Sequence, residues 1–194
     1  MPNFLYIRPS DTEEVAGAFI AALEATDTPT VISLSRHGFV QYTEHSSRDG
    51  VQRGAYVFIE QEDAAVTPIG VGSEMMFAVQ TRDVHGKKGV NARVDSFPCQ
   101  RSFILQDKDY RESVMQYGRN IPTVVIEAYA VNGWESFADA GYGMGAFGRS
   151  LPGPDAYEFF NFNGQPIADK VHGLLKGVEK DGLQSLRGNL LGKG

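Results

Sequence analysis

Residues 65–79, Ala-Val-Thr-Pro-Ile-Gly-Val-Gly-Ser-Glu-Met-Met-Phe-Ala-Val, decide the fold class of this chain. The run Ala65–Ile69 is short, apolar and partly β-branched, which is typical of a buried strand. Two glycines then allow a tight turn, and the apolar residues that follow predict a helix. A strand that passes through a glycine turn into a helix is the building unit of α/β proteins.

The same alternation continues on both sides of this stretch. Further strands are predicted at 55–59, 91–94 and 122–126. A C-terminal amphipathic helix is predicted from five apolar residues at helical spacing, which are Ile167, Val171, Leu174, Leu175 and Val178. We therefore expect an α/β domain with a mostly parallel sheet and helices on both faces. The residues after Lys180 contain several glycines and are expected to fray.

The first 43 residues predict a smaller strand-helix-strand unit. Strands are expected at Phe4–Ile7 and Thr30–Leu34, and Ser10 with Glu13 fits a capping box at the start of the helix between them. One face of that helix is apolar and carries Val15, Phe19, Ala22 and Leu23. A unit of this length implies a parallel pair with a right-handed crossover.

The best linker candidate is the polar segment 44–54, which contains two glycines and has no apolar period. We therefore divide the chain into a first unit at 1–43, a linker at 44–54 and a main domain at 55–194. No internal repeat was found.

Composition excludes several classes of function. The net charge is −6, and no run of basic residues is longer than Lys87-Lys88, so neither a nucleic-acid footprint nor a basic membrane patch is expected. No apolar run reaches 18 residues, and the start does not fit a secretory signal. The single cysteine, Cys99, excludes an internal disulfide and is interpreted as a small buried apolar residue. We expect a cytoplasmic protein.

The strongest candidate site is Ser35-Arg36-His37, where the strand at 30–34 ends. In α/β sheets, ligands gather beyond the carboxyl ends of strands. A guanidinium there can hold a phosphate through two parallel charge-assisted hydrogen bonds. A surface ion pair is the alternative for Arg36, and a lone histidine such as His37 is a weaker candidate.

A second candidate is the turn Gly70-Val-Gly72-Ser73, which matches half of a dinucleotide-binding fingerprint. Met75 stands where the third glycine belongs, and a tight turn with Ser73 as helix cap explains the residues as well. The histidines show no metal-ligand spacing. Aromatic residues cluster at Tyr157, Phe159, Phe160 and Phe162, where core packing or a subunit contact is expected, and Trp134 and Tyr129 fit either a core or an interface.

Several stretches resemble, in order, the C-terminal part of transketolases. They are Asn3–Asp11, Leu34–Arg36, Gly72–Glu74, Ala92–Val94, Tyr110–Val114, Ile126–Ala128, Gly133–Glu135, Phe147–Ser150 and Tyr157–Phe160. The resemblance covers nearly the whole chain, and the stretches Ser96–Arg101 and Gly148–Gly153 are most similar to the fungal dihydroxyacetone synthase branch.

The resemblance implies a function for the complete enzyme. Transketolases transfer a two-carbon ketol unit from a ketose phosphate to an aldehyde, with thiamine diphosphate and a divalent cation such as Mg²⁺. It implies that residues 1–43 end a pyrimidine-binding domain and that Arg36 binds the substrate phosphate. His37, which replaces a glutamine of the family, is a possible neighbouring contact.

The resemblance also implies what belongs elsewhere. The diphosphate- and metal-binding domain and the glutamate that activates the thiazolium lie upstream in the family. We therefore predict no catalytic, cofactor-binding or metal-binding residue in this chain. Its expected partners are the N-terminal part of the enzyme (from the same gene or as a separate subunit), a sugar phosphate and further copies of itself.

Two residues depart from the family pattern. Pro68 interrupts a strand, where it removes a ladder hydrogen bond, and Asp95 replaces an apolar residue, where an unpaired buried carboxylate is costly. Three hypotheses compete at this point. The chain is a fragment or subunit of a ketol transferase, inactive alone; a non-catalytic module for subunit association or regulation; or a small nucleotide-binding protein.

Overall fold

The computed structural model describes residues 2–186 and 189–191 and divides them between two sheets. The strands are β1 (Leu5–Ile7), β2 (Thr30–Ile32), β3 (Tyr56–Ile59), β4 (Thr67–Gly70), β5 (Val94–Ser96), β6 (Thr123–Ile126), β7 (Ala140–Tyr142) and β8 (Asn189–Leu190). The helices are α1 (Thr12–Glu24), α2 (Arg48–Arg53), α3 (Met75–Lys87), α4 (Gln100–Ile104), α5 (Lys108–Met115), α6 (Gly153–Phe159) and α7 (Gly164–Asp181). Short 3-10 turns lie at Gly72–Glu74 and Leu183–Leu186.

The larger sheet has the strand order β3-β5-β4-β6-β7-β8. Strand β3 runs antiparallel to β5, and the other neighbours are parallel. Crossover connections through helices make this pattern, because parallel strands cannot be joined by a tight hairpin. The prediction of a mostly parallel sheet is confirmed.

Helices cover both faces of this sheet, as predicted. Alternate side chains of β6 point to opposite faces: Val124 and Ile126 join the cluster that contains α3 and α7 residues, and Val125 joins the other. The second cluster includes Phe103 of α4 and the single tryptophan, Trp134. The predicted C-terminal helix is α7, whose apolar stripe packs against α3.

Strands β1 and β2 form the smaller, two-stranded sheet, and their parallel pairing confirms the predicted strand-helix-strand unit. The capping prediction was off by one position, because Asp11 caps α1 by accepting a hydrogen bond from Glu14 N at 3.0 Å. Glu14 is instead a fully buried acceptor for Ser10 N.

The predicted apolar face of α1 is largely uncovered. Phe19 is 53% exposed and Leu23 is 80% exposed. The helix turns its small residues inward, and an added Cβ at Gly17 would lie 2.7 Å from Arg48 O at the start of α2. Helix α1 therefore packs against α2 through its small residues, and the side chains of Phe19 and Leu23 stay exposed to solvent.

The segment 44–54, predicted as a linker, contains helix α2. Ser47 caps this helix by accepting from Gly50 N, and Val51 is fully buried. Gly54 ends it in the left-handed conformation at φ +91°. The division into units at 43 and 55 stays a prediction.

Two parts of the segment after Lys180 form regular structure, the 3-10 turn at Leu183–Leu186 and strand β8. Strand β8 extends the sheet by pairing with β7, and Leu191 N donates to Gly141 O at 2.8 Å. Residues 183–186 and 189–190 thus form regular elements within a segment that was expected to fray. Residues 187–188 and 192–194 lie outside the described residues.

Asp95 and Pro68 both lie in the interior of the larger sheet. Neither carboxylate oxygen of the fully buried Asp95 makes a hydrogen bond within the described part of the chain, and Arg93 Nη1 lies 3.5 Å away. Burial raises the pKa of Asp95 to about 7, although the positive charge of Arg93 opposes this shift. Continuous pairing of β4 with β5 begins only at Ile69, after Pro68.

Candidate functional site

Arg36 and His37 lie in a loop, residues 33–40, that follows β2 at the carboxyl end of the β1–β2 pair. Ser33 N closes the pairing by donating to Ile7 O at 2.9 Å. Arg36 is exposed and makes no hydrogen bond or ion pair with residues 2–186 or 189–191.

His37 is held by two neighbours. Its Nδ1 lies 2.8 Å from Ser35 Oγ, and its backbone N–H donates to the same hydroxyl at 3.2 Å. Its ring also packs edge-on against Tyr157, with ring centroids 5.7 Å apart. Tyr157 belongs to α6, about 120 positions along the chain.

A cleft of about 210 Å³ opens between the loop and the larger sheet. Its lining includes Ser33, Ser35 and His37 from the loop, and Gly72, Ser73 and Tyr157 from the other side. The structure thus brings His37 into a polar cleft, whereas Arg36 is not among the lining residues.

Arg8 joins the two sheets beside this cleft. Its Nη2 donates to Glu74 Oε2 at 2.8 Å, and its Nη1 donates to Glu127 Oε2 at 2.5 Å. The guanidinium carbon lies 4.5 Å from the ring centroid of Tyr129. Burial raises the pKa of Glu127, against the opposing effect of Arg8.

Tyr157 is connected to this ion-pair network. Its hydroxyl donates to Glu74 Oε1 at 2.9 Å, and Ser73 Oγ donates to the same oxygen at 2.7 Å. Burial and the negative charge of Glu74 raise the pKa of Tyr157 to about 12, so the hydroxyl keeps its proton.

The sequence interpretation missed Arg8, Glu74 and Glu127. A usable signal was present, because both carboxylates follow parallel strands: Glu74 comes after β4 and Glu127 directly after β6. Side chains that follow parallel strands meet at one edge of the sheet. The same reasoning that selected Arg36 would have placed these carboxylates together.

The turn Gly70-Val-Gly72-Ser73 is not built as a phosphate cradle. Gly72 has φ +56°, and a Cβ there would lie in van der Waals contact with Cβ of Arg8, at 3.5 Å. Glu74 is buried next to the turn, and its carboxylate disfavours an anion. Ser73 is not a cap, because the 3-10 turn starts from Val71 without a side-chain hydrogen bond.

The other residues that the sequence analysis singled out lie partly in the core and partly on the surface. Cys99 is buried, as expected. Phe162 and Trp134 are buried in the two clusters, whereas Tyr129 and Phe159 are exposed. In the part of the chain that the structure describes, no group of three or more His, Cys, Asp or Glu side chains could hold a metal ion. No helix within these residues is long and apolar enough to span a membrane.

Comparisons with known proteins agree with this architecture. The family described as transketolase-like TK C-terminal domain matches residues 54–163. Dihydroxyacetone synthase of Candida boidinii is 48% identical over 179 residues, which cover 92% of this chain and 25% of that protein. The chain thus spans about a quarter of the length of the curated relatives that it matches.

Solved structures show the same likeness. Transketolase from Leishmania mexicana superposes with a TM-score of 0.87 at 35% identity, over 97% of this chain and 27% of that one. A complex of Pichia stipitis transketolase with sedoheptulose-7-phosphate gives a TM-score of 0.87 at 29% identity, over 92% of this chain and 26% of that one. Because the family match spans more than half of its residues, this chain belongs to the transketolase family and carries the family's C-terminal domain.

Proposed function

We propose that the chain is the C-terminal part of a thiamine-diphosphate-dependent ketol transferase of the transketolase or dihydroxyacetone synthase type. The complete enzyme moves a two-carbon unit from a ketose phosphate to an aldehyde in the cytoplasm. The family membership and the quarter-length coverage of the relatives support this proposal.

The observation that carries the proposal is the unfinished first unit. An isolated two-stranded sheet is marginally stable, and β1–β2 has no further strand among the described residues. The large apolar side chains of α1 are exposed beside it. An N-terminal part, from the same gene or from a separate subunit, would complete this sheet and cover α1.

Thiamine diphosphate and Mg²⁺ belong to that N-terminal part in this proposal. The family holds these groups upstream of the C-terminal part that this chain matches, so no chemical step is assigned to a cofactor on this chain. The chain alone is then catalytically inactive, and its contribution is to complete the enzyme and to hold the substrate phosphate.

Calorimetry and reconstitution test this division of labour. The chain alone should bind thiamine diphosphate no tighter than the millimolar range with Mg²⁺ present, and it should not transfer ketol units. Adding a separately expressed N-terminal part should produce ketol transfer. Micromolar cofactor binding by the chain alone would contradict the proposal. Association with the N-terminal part without activity would favour the non-catalytic module.

We assign the substrate phosphate to Arg36, with His37 as the neighbouring contact. Arg36 is exposed and unpaired within the described residues, which is what an arginine that binds an anionic substrate requires. Ser35 holds one ring nitrogen of His37, which leaves the other nitrogen for a ligand. We assign both side chains to one phosphate at the edge of the cleft, which His37 reaches from the cleft lining and Arg36 from the exposed side of the loop.

The test is Arg36→Ala in the complete enzyme, measured with two kinds of donor. The kcat/KM for a phosphorylated ketose should fall roughly 10- to 150-fold, because a charge-assisted contact is lost. The kcat/KM for hydroxypyruvate, which has no phosphate, should be unchanged. Arg36→Lys should recover only part of the loss, because an ammonium group cannot make the paired contact.

Arg119→Ala is the matched control, because Arg119 is also exposed but lies before β6, at the opposite end of the strands. It should leave both donors unaffected. If Arg36→Ala reduces activity with both donors equally, Arg36 has a structural role and the assignment is wrong.

A further inference from the structure

We propose that Tyr157, on α6 of the C-terminal domain, is a positioning residue for the phosphate-binding loop at 33–40. The inference rests on the proposed function, because it concerns the same phosphate site. It gives the C-terminal domain a defined part in substrate binding, through the contact between Tyr157 and His37.

The loop has few bonds of its own. After Ser33, none of the residues 34–40 makes a backbone–backbone hydrogen bond with the described part of the chain. Within the loop, Ser35 and His37 bond to each other. A loop held so weakly loses conformational freedom when it binds a ligand, and this loss weakens binding.

Tyr157, in contrast, is held from several sides. Its hydroxyl donates to Glu74, which is paired with Arg8. Its ring packs edge-on against Phe77 at 4.9 Å and lies 6.2 Å from Phe162. Because Phe77 and Phe162 are buried, the position of Tyr157 is fixed by the core of the larger domain.

The ring contact between His37 and Tyr157 connects the weakly held loop at 33–40 to helix α6. The ring centroids of His37 and Tyr157 are 5.7 Å apart at an interplanar angle of 79°. The first residue of α6 is also near, since a Cβ at Gly153 would lie 3.8 Å from His37 Nδ1. Arg36 stands between Ser35 and His37, which are bonded to each other, so fixing His37 also restricts the backbone of Arg36 before a phosphate arrives.

The experiment uses the complete enzyme with Tyr157→Leu, which removes the ring, and Tyr157→Phe, which keeps it. Tyr157→Leu should raise the KM for a phosphorylated ketose by about 2- to 12-fold, the range expected for one aromatic pair. Its kcat, and the KM for hydroxypyruvate, should stay within about twofold of wild type, because the contact acts only on the phosphate loop. Tyr157→Phe, which keeps the ring, should leave the KM for the phosphorylated ketose near that of wild type.

Phe159→Leu is the control, because Phe159 is on the same helix but exposed and has no ring contact with the loop. It should change neither KM. His37→Ala provides a second variant that should fold, because His37 is on the surface, and it should raise the same KM. Adding Tyr157→Leu to His37→Ala should cause no further rise, since the contact is already absent.

Three results would overturn the inference: an unchanged KM for the phosphorylated ketose in Tyr157→Leu, an equal effect on both donors, or additive effects in the double variant. Arg36→Ala in the same assays separates this inference from the proposed function. If Arg36→Ala is selective for the phosphorylated donor and Tyr157→Leu is not, only the positioning role fails. If Arg36→Ala shows no selectivity, the site assignment fails and the positioning role fails with it.

Discussion

Asp95 makes the stability of this chain depend on pH in a way that one substitution should remove. Its carboxylate is fully buried in β5, lacks hydrogen-bond partners among the described residues and lies 3.5 Å from Arg93 Nη1. Arg93 is engaged elsewhere, because its Nη1 donates to Val114 O at 2.6 Å. Asp95→Asn keeps the shape of the side chain and removes its ability to ionise.

The sign follows from the pKa of Asp95, which burial raises from 3.8 to about 7. The folded chain therefore holds this proton more tightly than the unfolded chain does. The stabilisation from the proton is fully present below about pH 4 and is lost as the pH rises through about 7. A difference of roughly three units corresponds to about 4 kcal/mol, of which roughly 3 kcal/mol falls between pH 5 and pH 8.

The assay is urea unfolding of wild type and Asp95→Asn between pH 5 and pH 8. Fluorescence of Trp134 can report the transition, because it is the single tryptophan and is buried against Phe97, which follows β5. The free energy of unfolding of wild type should fall relative to that of the variant by roughly 3 kcal/mol across this range. Other buried carboxyls, such as Glu14, titrate in both proteins and cancel in the difference. If the two proteins change in parallel, Asp95 does not ionise in this range and the reasoning is refuted.

Three further predictions concern stability and association. Glu14→Ala should lower the free energy of unfolding by about 3 kcal/mol or more in urea titrations. The reason is that three donors, Ser10 N, Tyr56 OH and Ser96 Oγ, lose their acceptor. The control Glu13→Ala, on the surface, should change the free energy of unfolding little. Gly54→Ala should destabilise the chain by about 2–4 kcal/mol, since the new Cβ would lie 2.3 Å from Cys99 O and the backbone has a positive φ. Gly173→Ala, in open space on α7, should stabilise the chain by up to about 1 kcal/mol. Thermal unfolding of both variants measures these changes in stability. The isolated chain should self-associate at tens of micromolar through the exposed face of α1, and Leu23→Lys should weaken that association; sedimentation that shows a monomeric wild type would contradict the prediction.

Local patterns predicted the elements of the larger sheet because apolar runs and glycine turns are short-range signals. The stretch 65–79 forms β4, the turn and α3 in the predicted order. The antiparallel direction of β3 was not predictable in this way, because the apolar period of a strand is the same in both directions. Strand β8 was missed for a related reason: two residues of a glycine-rich tail become a strand only where β7 offers an open edge.

Helix α1 shows a different limit of sequence interpretation. The spacing of its apolar residues indicates an apolar face, but this spacing does not determine which part of the protein covers that face. The structure leaves Phe19 and Leu23 exposed and packs Gly17 against α2. The candidate site shows the same limit, because the loop with Arg36 follows from the end of a strand, whereas the contact of His37 with Tyr157 depends on how two distant segments fold together.

The junction between the two sheets explains how the C-terminal domain can influence a loop of the first unit. Apolar contacts alone permit sliding, because the hydrophobic effect has no preferred direction. Buried charged groups also cross this junction: Arg8 pairs with Glu74 and Glu127, and Glu14 accepts from Tyr56 OH at 2.7 Å. Removing one partner of a buried ion pair leaves an uncompensated charge at a cost of about 3–5 kcal/mol, so shifted arrangements of the two sheets are disfavoured. A first unit held in one orientation presents its loop to α6 at a fixed distance, and only then can a single ring contact at Tyr157 set the position of the proposed phosphate site.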